Sequence, residues 1–151
     1  MKRFAFRLDR LLQLRALAER EQARALALAL REEERRRAAV RLSEAELAQA
    51  RAQFAVTPRE LSQAGTLQNL ELTVLALAER MNSLSREHEE SLERVESERH
   101  QFEQARMARR VIERLREQRR EAWTGEVARW EQRVADETAI QRASGRPQET
   151  G

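Results

Sequence analysis

The chain has 151 residues, of which 36% are charged and only 4% aromatic, and its formal net charge is +3. Large apolar residues are too few to fill a thick globular core, so this composition can bury only a narrow periodic seam. There is no cysteine, which excludes disulfides and thiolate metal sites and fits a reducing compartment.

Ala, Leu, Glu, Gln and Arg dominate, and these are strong helix formers. Arg supplies 28 of the 29 positive residues, which carries the sequence pI to about 10.6 although 26 carboxylates oppose them. Opposite charges are interleaved and Leu recurs throughout, which argues against disorder. No run of 18 apolar residues occurs, so no segment is expected to insert in a membrane. The opening Met1-Lys2-Arg3-Phe4-Ala5-Phe6-Arg7 returns to charge at once and does not read as a signal peptide. The expected class is all-α: two long helices forming an antiparallel coiled-coil hairpin, with a short helical turn between them.

The first helix is predicted over about residues 7–54, with no internal Gly or Pro. Leu12, Leu26, Val40, Leu47 and Phe54 share one seven-residue phase, with Leu11, Leu14, Ala18, Ala25 and Leu28 on neighbouring rows. That pattern predicts a seam whose phase slips, with local changes of pitch.

The break comes next, at residues 57–66. Thr57 reads as an N-cap, Pro58 as the first helical residue and Glu60 as the partner in a capping box. Gly65 suits a left-handed helix end, and Thr66 can cap the second long helix.

That second helix is predicted over about residues 67–141, with Gly125 its one weak interior point. Leu67, Val74, Met81, His88, Val95, Phe102 and Arg109 lie seven apart, and Leu70, Leu77, Leu84, Ser91, Glu98, Ala105 and Ile112 come three after each. Ten of these fourteen are apolar, a heptad stripe that buries itself against another helix. A short connection makes the helices antiparallel neighbours, pairing Phe54 with Leu67, Val40 with Met81, Leu26 with Val95 and Leu12 with Arg109. The first helix is then used up near residue 117, and the second overhangs. One domain over residues 1–142 and a disordered tail over 143–151 complete the expected organisation.

Catalysis is not expected. His88 and His100 lie twelve apart on one helix and point in different directions, with no carboxylate set at metal spacing. His88 reads as a partly buried seam residue. No phosphate or dinucleotide fingerprint occurs, and no cofactor is implied.

Residues 105–120 carry seven arginines against Glu113 and Glu117, a local charge of +5. This run reads either as a solvated face with Glu/Arg pairs four apart or as an anionic docking surface. Trp123 and Trp130 continue the seam row. Trp123 can pack on Phe4 and Phe6 or face a partner; the pairing leaves Trp130 no partner in the chain. An exposed Trp beside arginines has the composition of a protein-binding hot spot. Arg110, Arg114, Arg119, Arg120, Trp123 and Trp130 are therefore the candidate binding residues of this end.

Both ends also resemble a known family. The opening Phe4-Ala5-Phe6-Arg7-Leu8-Asp9-Arg10-Leu11-Leu12-Gln13-Leu14-Arg15, with Glu19, resembles the start of the flagellar export protein FliJ. The stretch from Arg109 to Trp123, continuing through Glu131-Gln132 and Asp136-Glu137, resembles that family's last helix. The likeness covers about residues 4–142, the middle in pattern only. It implies a soluble component of the bacterial flagellar type III export apparatus, held peripherally at the inner membrane. It further implies a hairpin similar to the central stalk of rotary ATPases, with its joined helix ends in the pore of the hexameric export ATPase FliI. Contacts with the export-gate protein FlhA and with empty export chaperones are implied too. By position, the gate contact falls on Leu47, Phe54, Leu70, Val74, Leu77 and Met81, which are also seam residues. The alternatives are an injectisome stalk homologue, a generic coiled-coil scaffold, and a basic hairpin that binds nucleic acid; the mixed charge around the arginines speaks against the last.

Overall fold

The computed structural model describes residues 3–60 and 63–144. Those residues form two helices, α1 (Asp9–Val56) and α2 (Ala64–Ser144), and no strand. The two helices pack against each other antiparallel, joined by polar contacts of Arg36, Arg80 and His88 across the seam. The chain divides into two compact units, one of Met1–Leu17 with Arg106–Gly151 and one of Ala18–Ala105.

α1 runs 48 residues without Gly or Pro, and Asp9 in its first turn offsets the unsatisfied amide groups there. It starts two residues later than the sequence suggested. Residues 3–6 are non-helical, and the Asp9 amide donates to the Phe6 carbonyl at 3.1 Å.

The connection corrects the expected capping. Residues 57–60 form a bend and a turn, not a capped helix; Leu61 and Ser62 lie outside the described residues. Thr57 donates its hydroxyl back to the Gln53 carbonyl at 2.6 Å, so it closes α1 and opens nothing. α2 begins at Ala64, with the Gln63 carbonyl accepting from the Thr66 amide at 2.9 Å. Gly65 is therefore helical, and no described glycine has a positive φ. A helix start needs no left-handed residue, so Gly65 is not the stop signal it resembled. At the other end, helix persists through Ser144; the rest of the expected tail, 145–151, lies outside the described residues.

In the unit Ala18–Ala105, the α2 stripe from Leu67 to Ala105 is buried or half-buried at every heptad position, with Ser91 and Val95 innermost. α1 answers with two rows. Glu19, Leu26, Glu33, Val40, Leu47 and Phe54 form one, and Gln22, Ala29, Arg36, Ser43 and Ala50 the other. Both rows keep a seven-residue spacing, and Ala18, Ala25, Glu32, Ala39 and Glu46 lie half-buried beside them. Of the neighbouring-row residues that suggested a slipping phase, Leu11, Ala18 and Ala25 are half-buried, whereas Leu14 and Leu28 are 56% and 65% exposed and belong to the outer surface. The second row is small or polar. Ala29, Ser43 and Ala50 are among the most buried of the described residues.

Polar contacts across this seam fix the register. His88 Nε2 lies 2.8 Å from a Glu33 carboxylate oxygen, in the register expected from the pairing of Val40 with Met81. Arg36 donates to the Glu87 carbonyl at 3.0 Å, and Arg80 approaches Glu46 at 3.4 Å. Arg36 also donates to Glu32 at 2.9 Å, and Arg35 pairs with Glu32 as well. The hydrogen bond from Arg36, with the charge of Arg35, holds the Glu32 carboxyl below the usual carboxylate value and raises the Arg36 guanidinium in turn. Ser43 Oγ and Gln22 Oε1 are buried without a hydrogen-bond partner among the described residues.

Candidate functional site

The unit of Met1–Leu17 and Arg106–Gly151 holds the candidate residues of the basic end. Leu8, Leu11 and Leu12 of the N-terminal side and Ile112, Leu115, Trp123 and Val127 of α2 are half-buried apolar residues of this unit. Phe4 meets Trp123 with ring centroids 5.8 Å apart and planes tilted by 52°, a favourable aromatic arrangement. Of the two roles open to Trp123, packing is therefore the one adopted. The contact falls six residues beyond the simple pairing because residues 3–6 are not helical; non-helical chain advances further per residue than the 1.5 Å of a helix. An open groove of about 760 Å³ remains beside these rings, lined by Arg3, Phe6, Arg7, Leu115 and Arg119 as well.

The arginines separate into two kinds. Arg109 donates to both oxygens of Glu113 at 3.0 and 3.1 Å, and Arg116 lies 3.4 Å from Asp9. These two belong to the fold. Arg110, Arg114, Arg119 and Arg120 are exposed and form no ion pair among the described residues. They do not form one cluster, however. At 100° per residue, Arg119, Arg120 and Trp130 lie toward the seam side of α2, whereas Arg110 and Arg114 lie on its back. The back also carries Met107 and Val111, around a separate depression.

Beyond Val127 the helix has no cover among the described residues. Every residue from 128 to 144 is exposed, including Trp130 at 44%, Val134 at 40% and Ile140 at 67%. Trp130 and Val134 continue the stripe of Trp123 and Val127, so the apolar seam outlasts its partner.

This chemistry offers binding groups. The histidines are apart and engaged separately: His88 with Glu33 across the seam, and His100 with Gln104 of its own helix at 2.9 Å. Among the described residues no group of His, Cys, Asp or Glu is placed to hold a metal ion, and no helix is long and apolar enough to cross a membrane.

The family model described as Flagellar FliJ protein matches residues 4–148. The chain belongs to the FliJ family. The family is one of flagellar protein export, so this chain is a flagellar export component. No curated protein and no solved structure matches it.

The expected gate residues of this FliJ-family chain all lie in the other unit. Leu47 is 3% exposed and sealed in the seam, while Phe54, Leu70, Val74, Leu77 and Met81 are half-buried. The apolar residues that do face outward there include Leu42, Val56, Leu72 and Leu75, between 56% and 78% exposed. Sequence reasoning passes over these four because they lie off the heptad rows. Their signal is the same departure from the heptad that suggests phase slip on α1.

Proposed function

We propose that this FliJ-family chain is a stalk-like adaptor of flagellar export, acting by binding and not by chemistry. The observation that carries this reading is the end of α2: a helical segment of residues 128–144 with no cover among the described residues and an exposed Trp130 on the line of the seam. A helix that carries an exposed aromatic anchor and arginines with no ion pair among the described residues has the composition of a binding hot spot. Its proposed partner is the ring of the export ATPase FliI. Arg119 and Arg120 face acidic loops and set orientation, while Trp130 supplies the affinity. Trp123, engaged with Phe4, stiffens the base of that segment.

The unit Ala18–Ala105 is proposed to meet the export gate FlhA through the outer edges of Phe54, Leu70, Val74, Leu77 and Met81, together with exposed Leu72 and Leu75. Leu47 supports that surface from inside the seam. Escort of empty export chaperones, and a cytoplasmic location at the inner membrane through the apparatus, complete the proposal.

The test is the ATP hydrolysis rate of the cognate flagellar ATPase with and without this chain. Removal of residues 128–151, or Trp130→Ala, is expected to abolish or weaken stimulation while leaving helicity per residue unchanged. Stimulation that persists undiminished in both variants refutes this placement of the ATPase contact.

A further inference from the structure

We propose that the back of α2, formed by Met107, Arg110, Val111 and Arg114, is a docking face for an acidic amphipathic helix of a partner protein. These residues stand at i, i+3, i+4 and i+7, the spacing at which one helix face receives another. Met107 and Val111 are 66% and 65% exposed, far more than the seam positions beside them. They share an open depression of about 450 Å³ with Arg110, Arg114, Glu113 and Glu117. The seam lies on the other side of the helix, so nothing in hairpin formation calls for apolar side chains here.

The charges select the occupant. Glu113 is held by Arg109 on the flank of the depression. Only Glu117 remains in its lining to oppose Arg110 and Arg114, neither of which forms an ion pair among the described residues. A partner helix with two apolar residues one turn apart and carboxylates on either side satisfies both features. A second copy of this chain would bring a net positive face against itself, in a stretch of residues 105–120 already carrying +5. This face is distinct from the one proposed for the ATPase and stands or falls separately.

The probe is a fluorescent, helix-stabilised peptide with two leucines four apart and glutamates flanking them; its twin carries lysine for every glutamate. Fluorescence anisotropy with the full chain is expected to show binding of the glutamate peptide and not of the lysine peptide. Val111→Asp is expected to weaken binding by about tenfold or more, the scale of a lost anchor. Arg110→Glu with Arg114→Glu is expected to reverse the preference between the peptides. Leu28→Asp, equally exposed in the other unit, leaves binding unchanged. All these positions are exposed, and circular dichroism checks that the fold is kept. Equal binding of both peptides, or indifference to Val111→Asp, overturns the proposal. So does a duplex DNA that binds through the two arginines while the glutamate peptide does not, or a dimer in sedimentation that Val111→Asp dissolves.

Discussion

Leu47 and Leu75 are the same residue type on two helices of one unit, with opposite burial: 3% and 60% exposed. Leu47→Ala removes about three methylene equivalents from the seam, worth ~0.8 kcal/mol each by transfer. A partly relaxed cavity adds to this, and the expected loss is about 3 kcal/mol, toward the lower end for core leucines because a thin seam can close or admit water. For a chain of this size each kcal/mol moves the melting temperature by roughly 2–4 °C, so Leu47→Ala should melt roughly 6–12 °C lower. Leu75→Ala removes little buried surface and gains slightly in helix propensity; its effect should stay within about 0.5 kcal/mol. Thermal and urea unfolding monitored by circular dichroism read both. Equal losses, or a Leu47→Ala that melts with wild type while losing gate binding, would show that Leu47 is a surface residue and that the seam has been assigned to the wrong face.

Three further outcomes are expected from particular contacts. Gly65→Ala should stabilise the chain by about 0.5–1 kcal/mol, since Gly65 is helical and an added Cβ meets nothing within 4 Å; destabilisation in urea unfolding would restore the left-handed reading. Trp123→Ala should cost about 1–2 kcal/mol through its lost contact with Phe4, whereas Trp130→Ala should leave the melting temperature nearly unchanged; a comparable loss at both would place Trp130 inside a packed seam. Glu32, whose folded pKa is lowered chiefly by the Arg36 hydrogen bond, contributes stability above the usual value of 4.5 that fades as pH falls through the lowered one. Glu32→Gln should therefore melt below wild type at neutral pH and level with it in acid, and a difference that persists in acid would assign the effect to packing.

The fold class was legible because periodicity is a property of the chain itself. Charged, aromatic-poor composition with apolar residues every three and four positions leaves a long helix little to do except pair. The α2 stripe from Leu67 to Ile112 is buried or half-buried throughout, and His88 sits in it as a hydrogen-bonded polar residue. The family was legible at the two ends, where Phe4 to Arg15 and Arg109 to Trp123 carry more than periodicity.

The tertiary structure decided what pairwise geometry controls. Ala29, Ser43 and Ala50 emerge as seam residues because α2 covers the face of α1 they stand on, which the hydrophobicity of such small side chains does not flag. The connection escaped capping rules because Thr57 had two carbonyl or amide neighbours to serve, and bonding back to Gln53 won. The basic run was a single cluster only along the sequence. The 100° turn per residue sends Arg110 and Arg114 to one face and Arg119 and Arg120 to another, and Glu113 and Asp9 engage Arg109 and Arg116. Sequence alone sets which groups a helix carries and at what angles; which of them a neighbour covers, and which stay available for a partner, depends on where that neighbour begins and ends.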